Sequence, residues 1–454
     1  MESSYSGFVR GSFFLFIDSV LLSFVGWVFW LMLSTFTTPE QIGYATTVIS
    51  LSTLLSGFFS LGIEFACLRE GVRRGVWSSA VLFEVAILSA ASPMVYFLGL
   101  SIYGPSPRSL YILGIIFLLI SGAQLMLRFS LLGNMRSGLL IIFESIGAVA
   151  RLGLGVYLVM LGFGGMGIIS AYIANSFIVA AAAAVVLYRS LGASLIGRPE
   201  FSSILMLGLG NMPTKFAHLI IFGVSTVFLA VLTGSPEEVG VFYIALMISL
   251  AAGALGRSAA VMSIPASVSA GSDISNASLR FGLGLSAPIA ATLASIPAFI
   301  LSLIGEAYIL GSGALTALSL SIIPYIIIIN EVARLNYLRD LRRLIILGLS
   351  QLISLLATFP VFTGLFGILG AGLSVLVSSC VGAALSSMWR GIARPVIGPG
   401  VGTAAGWLAG SSIASINPLA AAAAAFTTSI TIVFLSRCIL PRELWNLASA
   451  ILRR

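Results

Sequence analysis

The chain is a succession of uninterrupted apolar runs, each about 20 residues long, the length at which a helix crosses ~30 Å of hydrocarbon. Lipid offers the backbone no hydrogen-bonding partner, so a spanning segment must be a helix or a strand of a closed barrel. Barrel strands alternate apolar and polar at every second residue. These runs do not alternate, so helices are the only solution. The chain is 59% hydrophobic and 8% charged, where a soluble surface takes roughly 25% charged residues. Its mean hydropathy is +1.11. The fold class is therefore all-α integral membrane protein. Cys67, Cys380 and Cys438 are too scattered for a metal or disulfide framework and read as small packing residues. The first run is too long for a cleavable signal and reads as the first span.

The sequence predicts fourteen spans: near 11–36, 42–65, 76–100, 109–132, 137–161, 166–188, 203–232, 238–262, 281–304, 308–330, 344–366, 368–389, 398–414 and 418–438. With the N-terminus cytoplasmic, all 23 basic residues fall in inner segments except Arg108, Arg151 and Lys215. That is the positive-inside distribution, and it expects both termini in the cytoplasm of a plasma-membrane protein. The +8 net charge is thus a topology signal, with no nucleic-acid partner implied. The basic tail, Arg442, Arg453 and Arg454, suits anionic lipid headgroups.

An internal repeat organises the spans. Thr38-Pro-Glu-Gln-Ile-Gly43 is matched by Ser235-Pro-Glu-Glu-Val-Gly240, an offset of 197. The same offset pairs Gly11 with Gly208 and Gly26 with Gly223. Phe163-Gly164 with Gly167 resembles Phe366-Gly367 with Gly370. An even number of spans separates the copies, so the repeat is parallel, a device of transporters whose two bundles rock around a central site. The expected organisation is a six-helix bundle over 1–196, a second over 197–389, and two extra helices with a basic tail over 390–454. No soluble loop large enough for an enzyme interrupts the spans, and Gly162–Gly167 matches a dinucleotide-binding pattern without its strand–turn–helix context. No enzymatic activity is expected.

A glycine-led first helix running into Thr38-Pro-Glu-Gln-Ile-Gly-Tyr44, a second helix ending at Leu61-Gly62-Ile63, the second copy at 235–240, and Phe-Gly-x-x-Gly turns opening the sixth and twelfth spans together resemble the Wzx-type polysaccharide flippases of the multidrug/oligosaccharidyl-lipid/polysaccharide exporter superfamily. The resemblance implies two bundles around a cavity, alternating access, and a lipid-linked oligosaccharide substrate for cell-surface polysaccharide biosynthesis. The last two helices resemble the fourteen-helix members. The alternative within the superfamily is an ion-coupled multidrug (MATE-like) exporter. Either would act as a monomer among membrane lipids without a cofactor, drawing on H+ or Na+ if ion-coupled.

Charges inside spans cost at least ~2.5–3.5 kcal/mol and mark candidate sites. The seventh span holds the chain's one lysine, Lys215, and its one histidine, His218, three residues apart on one helix face. Pro213 interrupts the backbone ladder beside them, with Gly208 and Gly210 as further hinge positions and Asn211 between. Lys215 is a candidate phosphate anchor and His218 a candidate proton switch. The repeat pairs Asp18 with Lys215. In the multidrug members an acid of the first helix couples ions, a description Asp18 fits. Arg151, midway along the fifth span, either lines the cavity or is neutralised by Glu84 or Glu144, the latter two turns earlier on its helix. Arg257 is a second-tier cavity candidate. The competing readings are a structural ion pair for Lys215, a hydrogen-bonded packing role for His218, a neutralised acid pointing into its own bundle for Asp18, and snorkelling for Arg257.

Overall fold

The computed structural model describes residues 21–438 apart from 23, 71–74, 106, 135, 198–200, 203, 207, 210–211, 213–214, 216–224, 271, 339 and 388–392. Asp18, Gly210, Asn211, Pro213 and His218 lie outside the described residues. Those described form helices and connections, with no strand among them. Ten helical stretches are long and apolar enough to cross a membrane.

By compactness the chain forms two units, one of Phe24–Tyr243 and one containing Ile244 onward. This is a division by packing, whereas the division expected from the sequence repeat is at 196/197. The first unit holds α1 (Phe24–Phe36), α2 (Pro39–Phe59), α3 (Ile63–Glu70), α4 (Val76–Ala91), α5 (Pro93–Tyr103), α6 (Arg108–Gly133), α7 (Ser137–Met160), α8 (Gly164–Leu191) and α9 (Ser225–Thr233). The first turns of α10 (Pro236–Ala270) complete it. α6 packs against α2, α3, α4 and α8, and α7 lies along α8. Ile63, Ala66, Cys67, Val76, Ala80, Met126 and Ile204 form one core cluster.

The two copies of the repeated turn start helices in the same way. Thr38 accepts a hydrogen bond from the Gln41 N–H at 3.4 Å, and Ser235 accepts one from the Glu238 N–H at 3.4 Å. Each hydroxyl satisfies an orphan donor of the first turn, and a proline with its preset φ follows. The copies also pack on one another. A Cβ at Gly43 would lie 1.7 Å from the Pro236 carbonyl oxygen, and one at Gly240 would lie 2.5 Å from that of Pro39. The glycines of the repeat thus serve a reciprocal crossing of backbone on backbone.

The second unit holds the rest of α10, then α11 (Ser275–Ser295), α12 (Pro297–Ser302), a 3₁₀ turn (Glu306–Gly311), α13 (Ser312–Leu338), α14 (Leu341–Leu385), α15 (Ala393–Ser411) and α16 (Pro418–Leu435). At 45 residues α14 is about twice the length of one crossing. It breaks at Gly367 (φ 57°, ψ −134°), between the eleventh and twelfth expected spans. α15 and α16 meet through small residues. A Cβ at Gly402, Gly406 or Gly410 would lie 3.0, 2.5 or 2.9 Å from the carbonyl oxygens of Ser429, Ala425 and Ala421 respectively. Small residues every fourth position on two antiparallel helices let their backbones touch, the usual basis of helix association in lipid.

Candidate functional site

The first unit contains two cationic clusters, and each begins with a local feature of the backbone. α2 stops at Phe59, and Leu61 (φ 50°) and Gly62 (φ 73°) both adopt left-handed conformations. Leu61 does so against the preference of a residue with a Cβ. Gly62 has a second reason to be glycine: a Cβ there would lie 2.2 Å from the Gly208 carbonyl oxygen. Gly208, expected as a hinge, is in this structure the partner of that close approach. Every described residue from 201 to 215 is helical.

Lys215 is 7% exposed. Its Nζ donates to the Gly57 carbonyl oxygen at 2.8 Å and to the Ser60 hydroxyl, and pairs with Glu64 Oε1 at 2.6 Å. A lysine ammonium has three donors, and all three are used. Gly57 belongs to the last turn of α2, where carbonyls lack intrahelical donors and the helix dipole is negative. The ammonium therefore completes the helix end, while Glu64 at the start of α3 balances its charge. The partner of Lys215 is Glu64, where the repeat pairs it with Asp18. Glu64 Oε2 is buried without a hydrogen-bond partner.

Arg151 on α7 is placed quite differently. Its guanidinium carbon lies 5.2 Å from the Phe29 ring centroid and 5.0 Å from that of Tyr172. Its Nε is buried without a hydrogen-bond partner. Gly26 on α1 leaves room for its Nη2, which would lie 3.8 Å from a Cβ at that position. Trp30, Phe117 and Tyr243 extend the aromatic layer around Phe29 and Tyr172. Neither expected carboxylate reaches Arg151. Glu144 pairs instead with Arg128 Nε at 3.1 Å, without hydrogen-bond alignment, and so bridges α7 to α6. Glu84 is wholly buried with both oxygens unpartnered. Among the described residues Arg151 has aromatic faces and no counter-ion.

In the second unit, Arg257 hydrogen-bonds the Tyr325 hydroxyl. Lys215 and Arg151 share no partner residue. Sequence reasoning missed Glu64 because it closes an apolar span, where a carboxylate reads as interfacial. The adjoining Leu61-Gly62 break was its available signal.

No family model matches this sequence, and no curated relative does. Solved structures do match in fold. The lipid II flippase MurJ, in an inward closed conformation, matches with a TM-score of 0.67 at 15% identity, covering 96% of this chain and 100% of that one. A multidrug resistance MATE family transporter of the MOP superfamily, inward-facing, matches with a TM-score of 0.56 at 14% identity, covering 85% of this chain and 93% of that one. A MATE structure in the bent conformation gives 0.57 at 16% identity, covering 88% and 96%. The chain is thus a multi-pass membrane protein with the fold shared by that flippase and the MATE transporters.

Proposed function

We propose that this protein is a flippase that moves lipid-linked oligosaccharides, or polysaccharide repeat units, across the plasma membrane by alternating access. Arg151 carries the reading. A guanidinium held against aromatic rings, with no carboxylate among the described residues to neutralise it, suits an anionic group such as a pyrophosphate and repels a drug cation. The two rings, edge-on to one another, fix the position of the guanidinium, and its remaining N–H groups are the donors for phosphate oxygens. Coverage gives further support: the lipid-linked substrate class of MurJ belongs to the fold matching nearly all of this chain, while the two MATE structures leave more than a tenth unmatched. Fourteen spans, with bundles 1–196 and 197–389 rocking about the site and helices 390–454 beside them, complete the proposal.

Lys215 enters as a secured cation. It contacts phosphate only by exchanging Glu64 for the substrate, so its role is conditional on movement of α3. The multidrug alternative makes Asp18 its coupling acid, and Arg151 argues against it. The test is movement of a fluorescent lipid-linked oligosaccharide between leaflets of reconstituted liposomes. Wild type should move it, and Arg151→Ala, folded by its thermal transition, should not. Equal movement by both removes Arg151 from the path. If wild type moves no glycan lipid above empty liposomes but exports organic cations, the multidrug reading replaces this one.

A further inference from the structure

α4 carries one carboxyl in an apolar setting. Glu84 lies eight residues past Val76, about 12 Å along the helix. That depth is toward the middle of a ~30 Å hydrocarbon layer. The side chain is 0% exposed, and neither oxygen has a hydrogen-bond partner. Gly122 of α6 makes room for it: a Cβ there would lie 3.2 Å from Glu84 Oε1 and 2.2 Å from Leu88. A leucine would fit such a pocket without an unmet polar group, so the carboxyl is present at a cost to packing.

Among the residues whose side chains are described, the elements around α4 supply no cation to it. α3 presents Cys67, which packs in the buried cluster with Val76 and Ala80 of α4 and Met126 of α6. Glu64, one turn earlier on α3, is committed to Lys215. On α6, Arg128 is committed to Glu144, and Arg108 and Tyr111 belong to the opposite end of that helix. On α2 the titratable residues are Glu40 and Tyr44, both in its first turns. On α5 they are Tyr96 and Tyr103. The described residues of 192–206, which pack on α4 through Trp77, Ser78, Ser79 and Phe83, include no titratable group. An ionised Glu84 would therefore stand in an apolar interior without a counter-ion among the described residues, where a carboxylate costs far more than a neutral acid.

We infer that Glu84 is a proton-binding site through which substrate movement is coupled to proton movement. The inference deepens the flippase reading by naming the coupling ion and its carrier. In the conformation described, the carboxyl is neutral and buried beside Gly122 and Leu88. The coupled step is one proton lost to water when α4 and α6 part, leaving a carboxylate, and one proton taken up before they close. A sodium ion would need several oxygen ligands here, whereas Ser130 donates its hydroxyl to the Met126 carbonyl and Gly122 offers no side chain.

Two measurements on reconstituted full-length protein test this, with Glu84→Gln as the isosteric neutral variant. In infrared titration, wild type should show a buried-carboxylic-acid band that disappears on alkalinisation and is absent from Glu84→Gln. A band unchanged by Glu84→Gln, or one that wild type keeps at every pH as a fixed structural acid would, overturns the site. In the flux assay, an imposed proton gradient should bias wild-type transport by up to about tenfold per pH unit. Glu84→Gln should respond to no gradient, and a retained response overturns the coupling. If wild type moves no glycan lipid, the flippase reading fails while the infrared arm still decides the proton site.

Discussion

Lys215 and Arg151 carry the same charge into the same unit, and the protein surrounds them in opposite ways. Lys215 is enclosed by a carbonyl, a hydroxyl and a carboxylate that together use its three donors. Arg151 lies over two rings that meet edge-on, and its buried Nε has no hydrogen-bond partner. The first arrangement joins three pieces of backbone: the end of α2, the start of α3 and the 201–215 segment. The second joins side chains only, and among the described residues it gives the cation no counter-ion. A charge in an apolar helix is thus one sequence signal with two meanings, and its neighbours decide which applies.

The comparison predicts that stability and transport separate between the two sites. Lys215→Met leaves Glu64 buried without its cation, a change that typically costs about 3–5 kcal/mol. The melting temperature in detergent should fall sharply. Lys215→Met combined with Glu64→Gln should recover most of the loss, because no charge is then stranded. A single variant as stable as wild type would mean that the pair contributes nothing to the fold. Gly62→Ala attacks the same junction through the backbone. The left-handed conformation costs about 1–2 kcal/mol with a Cβ, and overpacking adds typically about 1–3 kcal/mol. The overlap is with the Gly208 carbonyl, which belongs to backbone and cannot swing aside. Denaturant titration should register the loss, and the same change at Gly138, which has open space around its Cβ position, serves as the control.

Arg151→Ala should cost far less stability, about 0.5–2 kcal/mol for the lost stacking, while removing transport. Arg151→Lys keeps the charge but not the planar fork, so it should restore folding fully and transport only in part. Transport that survives Arg151→Ala while failing in the rescued Lys215 double variant would invert the comparison and move the anion site to the junction.

Most of the fold was legible in the sequence because lipid admits few solutions. Run length gave helices, and ten of the described stretches are long and apolar enough to cross a membrane. The repeated Thr/Ser-Pro-Glu turn marked two helix starts, and the structure adds that their glycines pack on each other's proline carbonyls. Both cations were legible as charges within spans. Their partners were not, because a partner belongs to the tertiary arrangement. The seven-residue spacing of Glu144 and Arg151 satisfies helix geometry, yet Glu144 turns to Arg128 across the α6–α7 interface. The 197 offset pairs Lys215 with Asp18, yet its donors go to a break in α2 that exists because Leu61 and Gly62 take positive φ. Nothing in local propensity predicts a leucine at φ 50°. Packing imposes it, and the lysine then stabilises the exposed carbonyls that the break creates.

The smallest expected effect tests how finely the Lys215 enclosure is tuned. Ser60 is fully buried, and its hydroxyl both accepts from Lys215 and donates to the Gly57 carbonyl at 3.2 Å. Ser60→Ala removes one of three acceptors and leaves the ion pair and the carbonyl bond in place. An ordinary hydrogen bond contributes about 0.5–1.5 kcal/mol net, and one to a charged group about 1.5–3 kcal/mol. The loss should fall near the lower end, because the ammonium can rotate its freed donor toward Glu64 Oε2, which lacks a partner. A melting-temperature decrease well below that of Lys215→Met is therefore expected, with transport retained. A decrease as large as that of Lys215→Met would mean that the hydroxyl, more than the carboxylate, holds Lys215 against the end of α2, and the junction would then be a helix cap first and an ion pair second.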